Sequence, residues 1–191
     1  MPRSKAFDEN KALSAAMQCF WHKGYSATSM KDLERATGLT PSSLYNSFES
    51  KDGLFLRTVD FYIEHVVRRR IHAFLENEEP LAGIEQFIRE CFENKAAMGM
   101  GCLLVNTSTE LGPHDEIVRK KVAKGMSLVE KALEEAIERA IDQGLLSKGI
   151  NPKKRAKHIG LLLNGMLVNS KIAGNKHWLE TALDSVKDLL H

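Results

Sequence analysis

Apolar residues recur at three- and four-residue spacing through most of the chain, and no stretch alternates with period two over a useful length. The pattern predicts helices throughout. The first spans residues 7–23, with Leu13, Ala16, Met17 and Phe20 as its apolar stripe and Gly24 as its stop. A second follows Ser29, a predicted N-cap, through Met30, Leu33 and Ala36 to Thr37, where Gly38 breaks the chain. The third opens with Thr40 as N-cap and Pro41 at the first helical position, and ends near Phe48. Ser50 caps a long fourth helix over residues 51–76. Pro80 starts a fifth, ending near Met98, and the Met98-Gly99-Met100-Gly101 stretch is a joint. A sixth covers 102–111, a seventh 115–143, an eighth 151–173 and a ninth 178–190. Nine helices with short joints describe an all-α protein, a small head on a larger body.

Composition narrows this picture. An apolar fraction of 43% supports a buried core and excludes a disordered chain. The net charge is only +2, so any nucleic-acid surface must come from local arrangement. Cys19, Cys91 and Cys102 make an odd number without CxxC spacing, against a disulfide framework or zinc site and in keeping with a reducing cytoplasm. The N-terminus lacks the apolar run of a signal peptide. The longest apolar stretch, 159–168, is interrupted by Gly160, Asn164 and Gly165 and is far short of the ~20 residues of a membrane span. The expectation is a cytoplasmic protein with no membrane partner. Its histidines are scattered, no Glu-x-x-His pair occurs, and no Gly-rich phosphate loop or serine elbow is present. We therefore expect no catalytic residues, no metal and no cofactor.

The window from Thr28 to Lys51 has the outline of a helix-turn-helix. Met30, Leu33, Ala36, Leu39, Leu44 and Phe48 can meet between its helices and the first one. Thr40, Ser42, Ser43, Tyr45, Asn46 and Ser47 are left as the polar face of the third helix, as a recognition helix requires. The run from Gly24 to Phe55 closely resembles the DNA-binding head of the TetR family, through Gly24-Tyr25, Thr28-Ser29, Thr37-Gly38-Leu39, Leu44-Tyr45, Phe48 and Ser50-Lys51. The resemblance implies a DNA-binding domain over 1–50 and a ligand-binding and dimerisation domain over 51–191. It implies a regulator, a repressor or an activator, that binds a palindromic double-stranded operator as a homodimer and is released by a small-molecule inducer. By the same resemblance, Thr28 and Ser29 cap the second helix and offer its N-terminus to a phosphate, and Thr40 and Ser42 do so for the third. Ser43 and Asn46 read base edges, Tyr45 bonds a phosphate, and Lys51 touches the backbone. Arg3, Lys5 and Lys11 either track the duplex or belong to a solvated tail. The Arg68-Arg69-Arg70 run lies some 17 residues, or about 25 Å, beyond the start of the fourth helix, and reads as a solvated or domain-interface cluster.

In the body, Ile159, Leu162, Leu163, Met166, Leu167 and Ile172 of the eighth helix offer a dimer surface. Trp178, Leu179, Leu183, Val186 and Leu190 of the ninth extend it. The segment Met100-Gly101-Cys102-Leu103-Leu104-Val105-Asn106, together with Lys171, resembles a NemR-like, electrophile-responsive branch of the same family. That likeness implies Cys102 as a sensor thiol, with Lys171 nearby promoting its thiolate. The other reading of Cys102 is a small buried apolar side chain. Asn106, Thr107, Ser108 and Asn164 either line a pocket or satisfy the backbone. A helical protein-interaction module without specific DNA binding is the alternative function.

Overall fold

The computed structural model describes residues 7–93, 100–172 and 177–190, and among them forms nine α-helices and no strand. They are α1 (Glu9–Lys23), α2 (Met30–Thr37), α3 (Pro41–Phe48), α4 (Lys51–Tyr62), α5 (Pro80–Glu93), α6 (Leu103–Glu110), α7 (Glu116–Asp142), α8 (Pro152–Asn169) and α9 (His177–Leu190). The expected all-α architecture and element order hold. The expected end of the fifth helix near Met98, the 98–99 part of the joint, and Arg3 and Lys5 lie outside the described residues.

The head is built by caps and one shared apolar centre. The Asp8 carboxylate accepts from the Lys11 N–H at 3.2 Å, which starts α1 two residues later than the periodicity suggested. Ser29 closes a capping box with Asp32 at the start of α2. Thr40 accepts from the Ser43 N–H at 3.2 Å and Pro41 pre-sets the first turn of α3. Between α2 and α3, Gly38 takes φ +70°, a left-handed conformation that glycine adopts without strain. Leu13, Met17, Phe20, Leu33, Leu44 and Phe48 are buried together, and α4 completes the cluster with Leu54 and Phe55. Phe55 meets Phe20 edge-on, with ring centroids 5.0 Å apart. Ala36, expected in this core, is exposed instead, because α2 turns its Leu33 side inward.

The fourth helix departs from the expected single α-helix over 51–76. Beyond Tyr62 it continues as two π-helical stretches, Ile63–Arg68 and Ile71–Leu75. Its buried positions explain this. Ile63, Val67, Ile71 and Leu75 are all buried at steps of four. In an α-helix of 3.6 residues per turn, that spacing drifts about 40° per step. The wider π turns oppose that drift. The body closes over these positions: α7 packs on α4, α5, α6 and α8, and α9 packs on α5 and α8.

Two further predicted boundaries shorten. Cys102 and Leu111 cap α6 rather than lying inside it, and α8 ends at Asn169. Most of the apolar residues expected at a dimer surface are used inside the protomer. Ile159, Leu163, Met166, Leu167, Leu179, Leu183, Val186 and Leu190 are all buried in the single chain.

Candidate nucleic-acid interface and regulatory cavity

The surface of α3 matches what the sequence suggested. Thr40, Ser42, Tyr45 and Asn46 are exposed, Ser43 is half-buried, and Leu44 and Phe48 face the core. The Thr40 hydroxyl gathers the Ser42 and Ser43 hydroxyls at 3.1 and 2.9 Å, so the helix begins in a cluster of three small hydroxyl groups. No acidic side chain occupies the first turn. Its N–H groups therefore present an uncompensated positive end of the helix dipole.

The second helix differs. Ser29 is its cap, but the Asp32 carboxylate already sits on that N-terminus, accepting from the Ser29 N–H at 3.0 Å and the Ser29 hydroxyl at 2.7 Å. The Lys23 ammonium, 2.6 Å away, and the Ser29 donors hold the Asp32 carboxyl well below the usual carboxylate range. An anion is in place there before any phosphate arrives. Thr28 corrects the expectation more directly. It is buried, and its hydroxyl donates to the Gly24 carbonyl at 2.6 Å, so it secures the turn after α1 rather than offering itself to DNA.

Lys51, at the start of α4, lays its ammonium 4.2 Å from the centre of the Tyr25 ring. The Tyr25 hydroxyl in turn donates to Asp52, and burial together with that carboxylate pushes the phenol up to about 12.

The head is fastened to the body by a carboxylate. Glu110, the last residue of α6, accepts from the Tyr25 N–H at 3.0 Å and the Ser26 N–H at 2.7 Å. Burial alone would raise this carboxyl, but the two N–H donors outweigh it and hold it below its ordinary value. No local pattern marks this contact, which joins positions about 85 residues apart.

Behind this joint lies a cavity of about 60 Å³. Its walls include Trp21 of α1, Tyr62 and Arg70 of the fourth helix, Cys91 of α5, and Cys102 at the N-cap of α6. The Tyr62 hydroxyl donates to the Cys102 Sγ at 3.5 Å, and Arg70 Nη1 donates to the Cys91 Sγ at 3.5 Å. Burial pushes the Cys91 thiol up to about 11, against the pull of Arg70. Of the three arginines read as one cluster, Arg68 pairs with Glu64 at 3.1 Å on the surface and Arg69 is exposed, whereas Arg70 turns inward. Arg70 and Trp21 are cavity residues that sequence reasoning missed. The available signal was that Arg70 lies three residues after Val67, at the edge of the buried face.

The sensor residues named from the sequence converge around Gly101. A Cβ placed there would lie 3.0 Å from the Lys171 Cε and 3.5 Å from the Asn106 Oδ1. Asn106 Nδ2 donates to the Met100 carbonyl at 2.9 Å, while its Oδ1 is buried without a partner. Asn164 lines the cavity; Thr107 is buried, and the Ser108 hydroxyl donates to the Val105 carbonyl at 2.7 Å.

Comparison with known proteins agrees with this geometry. Residues 12–58 match the family described as bacterial regulatory proteins, tetR family, and residues 80–186 match the tetracyclin repressor-like C-terminal domain. The chain belongs to the TetR family. It is a DNA-binding transcriptional regulator. It is 30% identical over 173 residues to the HTH-type transcriptional repressor ComR of Escherichia coli K12, covering 88% of this chain and 82% of that protein. A cysteine mutant of the TetR family regulator CifR, solved with 26-base-pair double-strand operator DNA, superposes with a TM-score of 0.79 at 28% identity. That match covers 100% of this chain and 98% of CifR. The reduced form of Escherichia coli NemR shares the fold, with a TM-score of 0.84 at 21% identity, covering 96% of this chain and 98% of that one.

The head-to-body fastening is testable. Glu110→Ala should lower the unfolding free energy at pH 7 by about 1–3 kcal/mol, the scale for hydrogen bonds to a charged group. Because the folded-state pKa is depressed, this contribution is present above the ordinary carboxylate pKa of about 4.3 and is lost as pH falls through the lower folded value. Urea melts of the wild type and the variant should therefore draw together as pH falls through and below the ordinary carboxylate range; a gap that does not narrow in acid contradicts the assignment.

Proposed function

We propose that this chain is a repressor that grips a palindromic operator with the exposed face of α3, and that occupancy of the cavity at the head–body joint releases it. The observation that carries this reading is the α3 surface: an uncharged polar face behind an N-terminus that no acid of its own neutralises. In this reading the chain works as a head over 1–50 and a body over 51–191. It acts by binding rather than catalysis. Thr40 and Ser42 seat a phosphate on the α3 N-terminus, Tyr45 takes a neighbouring phosphate, and Ser43 and Asn46 meet base edges. Ser29 and Lys51 flank the contact. A modest net charge of +2 suits a surface that relies on helix ends and a few polar groups. In a gel shift with DNA from upstream of its gene, Asn46→Ala should cost about tenfold in specific affinity and relax the preference at one base pair. Tyr45→Phe should weaken all sequences alike. The absence of any salt-sensitive specific shift would sink the reading in favour of a protein-interaction module.

The same reading requires a two-fold dimer, so that two heads reach successive major grooves. Leu161 and Val168 of α8 and Ile172 just beyond its end stay exposed, and Gly165 lies open on the same helix. With Trp178 and Ala182 of α9, the α8 residues Leu161 and Gly165 border a groove of about 590 Å³. We place the homodimer interface there, on α8 and α9. Leu161→Glu with Val168→Glu should shift the protein to monomer in sedimentation velocity and reduce operator binding with it. A double variant that remains dimeric refutes this placement.

Within the body, Cys102 is the proposed sensor thiol, with Lys171 and Asn106 beside it. No helix among the described residues is long and apolar enough to cross a membrane, so the stimulus in this reading is a molecule that reaches the cavity from solution. Reactive electrophiles such as quinones should release the wild type from its operator and leave Cys102→Ser bound. Equal release of both proteins would remove the thiol from the mechanism.

A further inference from the structure

Lys51 is a cation of the head that carries no carboxylate. Every Asp and Glu side chain in the sequence belongs to the described residues, and none lies within the 4.0 Å of an ion pair of its ammonium. Lys23, Lys120 and Lys121, by contrast, sit on carboxylates at 2.6, 2.7 and 2.5 Å. Two acids share the surroundings of Lys51: Asp52, the next residue, and Glu110, which meets the backbone of Tyr25. Both are already engaged, and both by the turn that holds Tyr25. The Tyr25 hydroxyl donates to the Asp52 carboxylate. The Tyr25 and Ser26 N–H groups donate to the two Glu110 oxygens at 3.0 and 2.7 Å.

The ring of the same tyrosine carries the ammonium, 4.2 Å from its centre. Phe20 stacks on that ring at 6.1 Å and Phe55 meets it edge-on at 4.9 Å, so the platform is fixed from within the head. A ring face attracts a cation through its quadrupole but bears no net charge. It orders the lysine side chain without neutralising it, and an arriving phosphate meets a full positive charge that is already in place. A carboxylate on the same ammonium would do the reverse, because the phosphate would displace it and then lie beside the freed anion. Burial and the bond to Asp52 push the Tyr25 phenol up to about 12, so at neutral pH the hydroxyl keeps its proton and its hold on Asp52.

We propose that Tyr25 is a positioning residue for DNA binding: its ring presents the Lys51 ammonium to a backbone phosphate, and its hydroxyl keeps Asp52 from neutralising that ammonium. The proposal rests on the reading of Lys51 as a phosphate contact and names the residue that prepares it. Tyr25 acts through Lys51 and reads no base, so its effect is the same on every sequence. Glu110 of the body holds the backbone of the same tyrosine, so the residue that prepares the contact is also the one at which head and body meet.

Fluorescence anisotropy of the full-length protein tests this on two duplexes, one from upstream of its gene and one of mixed sequence, across about 50 to 200 mM KCl. Lys51→Gln should weaken both about tenfold and lower the slope of log affinity against log salt by about 0.9 for each head engaged. Tyr25→Leu, which keeps an apolar side chain against Phe20 and Phe55, should weaken both severalfold and lower the slope in the same sense. Placed on Lys51→Gln, it should cost less than about twofold more, because its effect runs through that ammonium. Tyr25→Phe keeps the ring and frees Asp52. It should weaken both duplexes severalfold, and adding Asp52→Asn should restore binding to within about twofold of wild type. Circular dichroism melts report folding, and the Tyr25→Phe pair preserves the ring packing if Tyr25→Leu does not fold. An unchanged salt slope in Lys51→Gln removes the phosphate contact and this proposal with it. A loss in Lys51→Gln beside unchanged binding by Tyr25→Phe keeps the contact and refutes the role of Tyr25. An equal loss from Tyr25→Leu with and without Lys51, or a weakened Tyr25→Phe that Asp52→Asn does not rescue, makes the tyrosine purely structural and also overturns the proposal.

Discussion

The four-step register of the fourth helix is the constraint on which the rest depends. Ile63, Val67, Ile71 and Leu75 are all buried, the first two in a stretch that packs on α7 and the last two in one that packs on α7 and α5, and a regular α-helix would turn them by about 40° per step. The chain widens into π turns instead. Arg70 lies between the two π stretches, half-buried at the margin of that buried face. The same helix begins inside the head, with Leu54 and Phe55 in the cluster around Phe20. Head and body therefore share one rigid element, and the cavity lies along it.

A second element spans the same distance. Helix α6 carries Cys102 at one end, against the Tyr62 hydroxyl, and Glu110 at the other, on the Tyr25 and Ser26 N–H groups. The turn that follows α1 is tied internally by the Thr28 hydroxyl on the Gly24 carbonyl. Helix α6, eight residues long, is thus hydrogen-bonded to the fourth helix at one end and to the head at the other.

The two helices of the helix-turn-helix divide their work by electrostatics. Asp32 closes the N-terminus of α2 with a capping box and answers Lys23, which stabilises the head and fills the anion position. The α3 N-terminus carries only hydroxyl groups, so its dipole remains available to a phosphate. Capping by a carboxylate and phosphate binding compete for the same N–H groups, and only α2 carries a carboxylate of its own in the first turn.

What the sequence by itself determined was everything that local physics decides. Helix periodicity, the Ser29, Thr40 and Ser50 caps, the Gly38 turn and the polar face of α3 depend on neighbours three or four residues away, and each is present in the structure. The all-α class and the DNA-contact window followed from them. Tertiary structure alone decided the burial of Thr28, the outward turn of Ala36 and the use of the α8 and α9 apolar residues inside the protomer. It also decided the Glu110 fastening and the meeting of Trp21 with Arg70 around one cavity. Each of these joins residues tens of positions apart. A helical pattern records which face of a helix is apolar, but not which neighbour that face meets, nor which arginine of three will line a cavity.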